Sequence, residues 1–473
     1  MPTKPTSVAI RSGLACGAAI LIAGVVSLSR SGKEAAPTPP SSDWPRPHAP
    51  ESETITICAL RDHSFGVALR LLRESDFEEK TGVRVKAVLL EFEPMLRAHA
   101  LSFSARDGNY DLVSIDQPSL GRYVTEGWVR PLDEYVGDPS LAPLGLADVV
   151  PILRQSCGEW QGKLYAVPLG SYGALLAYRQ DVLSSAGLTP PATFAEFLSH
   201  ARAVNAPPDL YGTALFAHVG EYITADAAPF LWSWGAGLIN GCDVNLPECP
   251  PYRVAWDTPE GIAALEFYAR LYREGLAPRG TLEFDHARYI GAFQSGSIAM
   301  GMMPAEGFGA PMENPAVSRV VGKIAYANLP RRRREDGTLS PPRPGLGAHS
   351  LAISRDARHP RLAYLVLQFL TGRAIGADYI RLGGRPFRES HFSQEAFAQF
   401  PYMRAIQEGM RTGRCRPNIP EYPAVSEVFS TAFHSALQHD APVGEVMRAA
   451  ARKANETILC PAYPRPASRG PAE

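Results

Sequence analysis

The chain carries almost no excess of charge of either sign. Its 473 residues include 47 Lys and Arg against 48 Asp and Glu, which gives a formal net charge of -1 at pH 7. This balance excludes a strongly basic nucleic-acid binder and gives no electrostatic indication of a membrane surface. A nucleic acid or another polyanion is therefore not the predicted partner.

Sequence motifs of catalysis and of metal binding are missing as well. The sequence has no G-x-S-x-G, no H-E-x-x-H and no phosphate-binding loop, and its cysteines show no C-x-x-C or Cys/His spacing suited to zinc. Its carboxylate pairs are not separable from ordinary surface charge. We therefore predict a binding protein and not an enzyme, with no catalytic residue, no cofactor and no metal.

An export signal is predicted at the start of the chain. Lys4 and Arg11 precede the run 13–29, which contains no charge and is rich in Ala, Ile, Leu and Val, as in a secretory signal. Residues 1–29 are expected to be a signal peptide cleaved after Ser29, or an uncleaved anchor, and residues 30–53 a proline-rich linker. The folded part is thus expected to be periplasmic or extracytoplasmic, free or membrane-anchored.

The cysteines that follow this segment fit an exported protein, because they are even in number. The polar loop between Cys242 and Cys249 favours a disulfide across it, and a disulfide between Cys415 and Cys460 would fasten the C-terminal tail. Fifteen connectivities are open for six cysteines, and buried free thiols are the alternative for each pair. The six are Cys58, Cys157, Cys242, Cys249, Cys415 and Cys460.

A strand-helix-strand pattern opens the globular part. An apolar strand over 54–60 is followed by a polar loop and a helix that ends at Gly82, and a second strand begins directly afterwards. This order predicts a parallel sheet with ligand-binding loops at the carboxyl ends of its strands. The loop after the first strand therefore supplies three candidate ligand contacts: Arg61, Asp62 and His63.

The stretch 163–178 contains two apolar runs that are separated by Gly170-Ser171-Tyr172-Gly173. Two strands in line with such an interruption are what a chain needs to leave one sheet, cross a cleft and enter another. An ordinary pair of strands with a β-bulge is the alternative. The stretch is a candidate hinge, and its Tyr172 a candidate ligand contact.

Several motifs resemble, in the same order, the family 1 extracellular solute-binding proteins, which are the sugar-binding components of bacterial ABC importers and include the maltodextrin-binding proteins. Tyr110-Asp111-Leu112-Val113, Gly127-Trp128-Val129-Arg130-Pro131-Leu132 and Gly162-Lys163-Leu164-Tyr165-Ala166-Val167-Pro168 carry the first part of the resemblance. Thr193-Phe194-Ala195-Glu196 and Arg416-Pro417-Asn418-Ile419-Pro420 extend it toward the C-terminus. The matches cover about 400 residues.

The resemblance implies an α/β, two-lobed periplasmic-binding-protein fold of type II, with hinge-crossing strands and closure around a ligand. A second crossing is expected at 345–350. Lobe one is expected to hold residues 54–169 and 350–392, and lobe two residues 170–349 and 393–462. Residues 463–473 are expected to form a disordered tail.

A sugar offers hydroxyls to polar side chains and an apolar ring face to aromatic ones. Trp232 and Trp234 lie in a segment that the family places close to the ligand, and the family's frequent tryptophan after the 300–303 strand is replaced by Pro304-Ala305-Glu306. With the residues named above, the ligand-binding candidates are Arg61, Asp62, His63, Asp116, Gln117, Tyr172, Trp232, Trp234, Glu306, His349 and Arg385.

The expected partners are a small carbohydrate and the membrane subunits of an ABC importer, and the protein is expected to act as a monomer. Two alternatives stay open: a membrane-tethered ectodomain that senses a solute, and a binder of a polyol or glycerol phosphate. The four arginines of 331–334 would suit an anionic ligand, but a hydrophilic loop beside Gly and Pro more often forms a solvated tip.

Overall fold

The computed structural model describes residues 53–240, 252–303, 307 and 309–459. The strands are β1 (Glu53–Leu60), β2 (Val83–Leu90), β3 (Leu112–Asp116), β4 (Glu159–Trp160), β5 (Lys163–Leu164), β6 (Ala166–Gly173), β7 (Leu175–Arg179), β8 (Met300–Met303), β9 (Ile324–Ala327), β10 (Gly345–Ile353) and β11 (Arg414–Cys415). The helices are α1 (His63–Glu74), α2 (Phe77–Thr81), α3 (Phe92–Ala105), α4 (Leu120–Thr125), α5 (Asp133–Val136), α6 (Pro151–Cys157), α7 (Gln180–Ser185), α8 (Phe194–Val204), α9 (Glu221–Trp234), α10 (Pro259–Arg273), α11 (His286–Gln294), α12 (Ala310–Glu313), α13 (Pro360–Thr371), α14 (Gly376–Arg381), α15 (Gln394–Gln399), α16 (Met403–Thr412), α17 (Tyr422–Gln438) and α18 (Val443–Thr457).

The predicted strand-helix-strand unit is confirmed at the start of the first sheet. β1 pairs in parallel with β2 and with β3, while β10 joins β3 in the antiparallel sense. Asp62 begins α1 by accepting a hydrogen bond from the Phe65 amide at 2.8 Å, as expected of an N-cap. Gly82 follows α2 with φ 70°, a left-handed conformation in which glycine avoids the steric penalty of a Cβ.

The predicted passage between two sheets occurs after Gly173. β6 pairs with β10 in the first sheet, whereas β7 pairs with β8 and β9 in a second, three-stranded sheet. The bulge considered as an alternative is also present, because the register between β6 and β10 shifts between Ala348 and Ser350. The extra residues of β6 at this point include Gly170, whose φ is 148°.

The chain returns to the first sheet between β9 and β10, next to the crossing expected at 345–350. β11 then pairs in parallel with the start of β10, through the register Leu346 to Cys415. The chain leaves the first sheet for the last time after Cys415, and α17 and α18 pack together beside α9 and α10. The segment 414–418 is therefore a third passage between the two parts of the fold.

Helix ends in the second part follow local sequence signals. Thr193 forms the predicted capping box with Glu196 before α8, and Thr258 caps α10 with Pro259 in its first turn. The apolar faces of α9, α10, α17 and α18 share one core, in which fully buried Trp256 donates its indole hydrogen to the Met447 carbonyl at 3.0 Å.

Within these described ranges, no helix has the length and apolar character needed to cross a membrane. Over the same residues, no group of three or more His, Cys, Asp and Glu side chains is arranged to hold a metal ion.

Candidate ligand-binding site

Three polar side chains meet where the two sheets are joined. Asp116 ends β3, Tyr172 lies near the end of β6, and both residues face β10, where they pair with His349 and Gly347. The Tyr172 hydroxyl donates to Asp116 Oδ1 at 2.6 Å, and Arg416 Nη2 donates to the Tyr172 hydroxyl at 2.5 Å. The Arg416 guanidinium also lies 3.5 Å from Asp116 Oδ2.

A second carboxylate approaches the same guanidinium from the helix α9. Glu221 is the first residue of this helix and forms an ion pair with Arg416 Nη1. Ser426 donates its hydroxyl to the same carboxylate, and the Tyr422 hydroxyl donates to it at 3.1 Å. Arg416, only 8% exposed, thus bridges Asp116 of the first sheet and Glu221 of the second part.

Charge and burial fix the protonation of this group. Burial raises the pKa of Tyr172 well above its usual value, so that its hydroxyl keeps its hydrogen. Burial opposes the charge of Arg416, but its electrostatic interactions with Tyr172, Asp116 and Glu221 outweigh burial and raise the pKa of the guanidinium. The site therefore holds a permanent cation between two acidic side chains.

An aromatic cluster lines the start of α9, close to Glu221. The Tyr222 ring lies 5.0 Å from Phe216, 5.3 Å from His218 and 5.4 Å from His286, measured between ring centres. The pKa of Tyr222 is raised first by burial and then by the negative charges of Asp285, Glu93 and Glu91. Glu91 precedes α3 directly and Glu93 lies in its first turn, so Tyr222 is within electrostatic range of the point where β2 of the first sheet ends.

The loop after β1 forms a separate polar group with the segment after α14. Asp62 Oδ2 and Arg385 Nη2 make an ion pair of 2.6 Å whose side chains are 7% and 10% exposed. His63 Nε2 lies 3.0 Å from the Leu382 carbonyl. Arg61, an exposed residue, donates to the Leu89 carbonyl at 3.0 Å and lies 3.8 Å from Glu91.

Other predicted contacts fall into three places. Gln117 and His349 are buried beside Arg416 and Tyr172: Gln117 Nε2 donates to the Arg416 carbonyl at 2.8 Å, and the His349 ring lies 5.7 Å from the Tyr172 ring. Trp232 is buried, and the Trp234 ring packs at tilted angles against Phe194, Phe230 and Phe267 beside the second core. Glu306 lies outside the described residues.

Gly347 shows how tightly this region is packed. A Cβ built on Gly347 would collide with the ring and hydroxyl of Tyr172. Glycine is therefore what lets the Tyr172 ring lie flat against β10 and reach Asp116.

One arginine of the 331–334 run contacts a residue outside its own loop. Arg332 Nη1 donates to the Trp234 carbonyl at 3.0 Å, and its guanidinium lies 5.4 Å from the centre of the Trp234 ring. Arg333 Nη1 donates to the Gly337 carbonyl at 3.0 Å, within its own loop. These contacts fit a hydrogen-bonded surface loop.

The expectation of a disulfide at Cys415 is wrong for this structure. Cys415 carries a free thiol and is buried on β11. The pairing failed because β11 holds Cys415 inside the first sheet, where the sequence had suggested an open loop. Cys242, Cys249 and Cys460 lie outside the described residues.

Sequence reasoning missed the residues that connect the site. Arg416 appeared only as part of a family motif, and Glu221 and Tyr222 drew no attention in a helix whose sequence is otherwise largely apolar. The available signals were the acidic first turn of α9 after Gly220 and the Arg416-Pro417-Asn418 loop, but neither reveals a contact across 195 positions.

Comparisons with known proteins define the class. The profile of the bacterial extracellular solute-binding proteins matches residues 67–377, so the chain belongs to this family. A solute-binding protein of an ABC transporter from Agrobacterium radiobacter K84, in complex with ribitol, is 26% identical and superposes with a TM-score of 0.75, covering 86% of this chain and 99% of that one.

Two further relatives agree with this placement. A Thermotoga lettingae solute-binding protein bound with α-D-tagatose shares the fold at a TM-score of 0.73 and 24% identity, over 86% of this chain and all of that one. A Deinococcus radiodurans protein named "Probable ABC transporter-binding protein" is 24% identical over 302 residues, which are 61% of this chain and 67% of that one. The fold is thus that of the two-lobed periplasmic binding proteins, as the sequence predicted.

Proposed function

We propose that this protein is an exported receptor that captures a neutral carbohydrate or polyol and delivers it to an ABC importer. The observation that carries the proposal is the bridge from Asp116 through Arg416 to Glu221, next to the aromatic cluster around Tyr222. Carboxylates and a guanidinium suit hydroxyl groups, and an aromatic face suits the C–H face of a sugar or polyol. The ligands of the ribitol-bound and tagatose-bound relatives belong to this class.

The pairing of the arginines favours a neutral ligand over a phosphate ester. Arg416 lies between two carboxylates, Arg385 is paired with Asp62, and Arg61 lies near Glu91. An anionic ligand would have to compete with these carboxylates for the same cations, which costs free energy. Glycerol phosphate is therefore the less favoured of the two ligand classes.

Ligand capture would proceed by closure of two lobes. We assign residues 54–169 and 350–392 to one lobe and residues 170–349 and 393–462 to the other, except that β11, inside the last range, stays paired with β10 in the first sheet. A ligand that touches both lobes stabilises the closed state. The importer's membrane subunits would bind that closed form. The protein would act as a monomer after export, and sequencing of its mature N-terminus distinguishes a released receptor from a tethered sensor.

The test is a thermal-shift screen of the mature protein against ribitol, mannitol, tagatose, maltose and glycerol 3-phosphate, followed by calorimetry. A ligand at a hundredfold excess over its Kd stabilises the folded state by about 2.7 kcal/mol. We expect a shift with at least one neutral sugar or polyol. A shift with glycerol 3-phosphate alone would contradict the neutral-ligand proposal, and hydrolysis of a glycoside would contradict the assignment as a receptor.

A further inference from the structure

Several contacts fasten the end of β6 just before the chain crosses to the second sheet. The Ser171 hydroxyl donates to the Pro386 carbonyl, and the Tyr379 hydroxyl donates to the Leu169 carbonyl at 3.3 Å. Ser171 and Tyr379 are both buried. The segment 379–386 therefore holds β6, although the partners lie 215 and 210 positions apart in the sequence.

The start of α1 contacts the same segment. Asp62 Oδ2 forms the ion pair of 2.6 Å with Arg385 Nη2, while Asp62 Oδ1 accepts the hydrogen bond that begins the helix. The Arg385 amide donates to Ser64 Oγ at 3.2 Å, and His63 Nε2 lies 3.0 Å from the Leu382 carbonyl. Three consecutive residues at the start of α1 are thus bound to one segment.

Gly170 lies where these two sets of contacts meet. A Cβ built on Gly170 would lie 2.9 Å from Ser64 Cβ and 3.4 Å from Arg385 Nη2. The close approach and the φ of 148° at this position both favour glycine. The strand, the helix start and the segment after α14 therefore form one unit, and we call its members Asp62, Ser64, Ser171 and Arg385 the crossing clamp.

We propose that the crossing clamp positions Tyr172 for ligand binding, and that Asp62 and Arg385 act through β6 without touching the ligand. Tyr172 follows Ser171 directly, and its hydroxyl reaches Asp116 while β6 stays paired with β10. Asp62 and Arg385 are almost fully buried and are paired with each other. The effect on binding rests on the proposed function, whereas the effect on β6 does not depend on any ligand.

The ion pair is the part of the clamp whose loss should be felt most. A buried charge that loses its partner is strongly unfavourable, so neutralising either Asp62 or Arg385 leaves the other side chain uncompensated. The opening of one region of a protein is governed by the contacts that hold that region. Loss of the pair should therefore loosen β6 and leave β7, which lies in the other sheet, unchanged.

Hydrogen exchange of the ligand-free mature protein, followed by mass spectrometry, tests the clamp. Asp62→Asn removes the charge but keeps an acceptor for the N-cap of α1, and Arg385→Gln removes the cation. We expect the amides of β6 to exchange about tenfold faster in both variants, with β7 unchanged. Arg385→Lys keeps the positive charge and should restore most of the protection. Glu74→Gln, which breaks the exposed pair with Arg70 on the same helix, is the matched control and should exchange like wild type.

Three results would overturn the proposal. The first is unchanged exchange of β6 in D62N and R385Q, and the second is an equal acceleration in β6 and β7, which would indicate a loss of stability of the whole fold. The third is faster exchange in R385K to the same extent as in R385Q, because charge would then not be what holds β6. If R385Q fails to fold, D62N and Ser171→Ala provide the same comparison of β6 with β7.

Calorimetry with ribitol tests the effect on the site. We expect D62N and R385Q each to raise the Kd by about three- to tenfold, and the double variant to bind no more weakly than the weaker single one, because both act through one ion pair. Losses that multiply in the double variant would indicate independent ligand contacts and would overturn the positioning role. If wild type does not bind ribitol, that result counts against the proposed ligand, and the exchange comparison alone decides the clamp.

Discussion

Tyr172 donates its phenolic hydrogen to Asp116 across 2.6 Å, although the two residues lie on strands that never pair with each other. β10 lies between these strands, and its residues His349 and Gly347 pair with Asp116 and Tyr172 respectively. Because His349 and Gly347 are two positions apart, the side chains of Asp116 and Tyr172 lie on the same face of the sheet. The hydrogen bond therefore depends on the pairing of β3 and β6 with β10, at the point where the chain crosses from the first sheet to the second.

Removing the hydroxyl with Tyr172→Phe should weaken ligand binding about tenfold, because a hydrogen bond to a charged group is worth roughly 1.5–3 kcal/mol. The substitution removes a donor to Asp116 and an acceptor for Arg416 while it keeps the ring. Calorimetric Kd values for wild type and variant give the measurement. Tyr165→Phe, on a half-buried tyrosine packed against another cluster, is the control, and equal Kd values for Y172F and wild type would contradict the assignment.

Replacing the central cation with Arg416→Gln should lower the free energy of unfolding by about 3 kcal/mol, because it leaves the carboxylates of Asp116 and Glu221 close together without the positive charge that lies between them. Asp116 and Arg416 are both under 10% exposed, so that water compensates little. Chemical denaturation gives the value. Arg288→Gln removes an exposed ion pair with Glu283 and should change stability by less than about 0.5 kcal/mol. A similar loss of unfolding free energy in R416Q and R288Q would show that the Asp116–Arg416–Glu221 bridge stabilises the fold no more than an exposed ion pair.

Two buried histidines should make the protein sensitive to acid. Burial, partly offset by a hydrogen bond to Cys58, lowers the pKa of His99 to about 4, and burial with the nearby charge of Arg388 lowers that of His391 to about 3. Each contribution is complete above the unfolded pKa near 6.5 and is lost as pH falls toward the folded values.

Unfolding free energy measured from pH 6.5 to 4.5 should therefore fall by up to about 1.4 kcal/mol per pH unit for each histidine. His391→Gln should remove one of the two contributions, and His434→Gln, on a partly buried histidine, serves as the control. Parallel profiles for H391Q and wild type would contradict this origin of the acid sensitivity.

Asp226 should have the opposite effect on the pH dependence of stability, because its contribution is lost as pH rises. Burial raises its pKa to about 6, even though the Phe216 amide at 2.9 Å and the Tyr268 hydroxyl at 2.7 Å donate to it. Because the folded pKa lies above the unfolded one, the stabilising contribution is complete below about pH 4 and is lost as pH rises through 6.

The variant Asp226→Asn keeps an acceptor for both donors and cannot ionise. Its stability relative to wild type should therefore rise by on the order of 2–3 kcal/mol between pH 4 and pH 8. Denaturation at the two pH values tests this, with Asp285→Asn at the half-buried N-cap of α11 as the control. A constant difference between D226N and wild type would refute it.

The sequence predicted the parts of the fold that local patterns encode. The capping box at Thr193, the left-handed Gly82 and the change of sheet after Gly173 follow from short-range signals, and the structure has each of them. The family resemblance then supplied the two-lobed arrangement, which residue patterns alone did not specify.

The site was harder to predict, because its contacts join residues that are far apart in sequence. Asp116 and Tyr172 were found from their place at strand ends, but their partner Arg416 lies 300 and 244 positions away. Trp232 and Trp234 were chosen because the family places their segment close to the ligand and aromatic rings suit a sugar, yet the direction in which an aromatic residue points depends on helix packing. In an almost uniformly apolar helix such as α9, no polar stripe indicates which face is turned toward a cleft.

The close approach of Gly347 to Tyr172 has a consequence for how such receptors diverge. A side chain at position 347 and an aromatic ring at position 172 exclude each other sterically. A lineage that acquires a side chain at position 347 must first replace Tyr172 by a smaller residue. The intermediate then lacks the hydroxyl that reaches Asp116. New ligand preferences are therefore expected to arise through paired replacements at these two positions, whereas the aromatic cluster around Tyr222 can change one residue at a time.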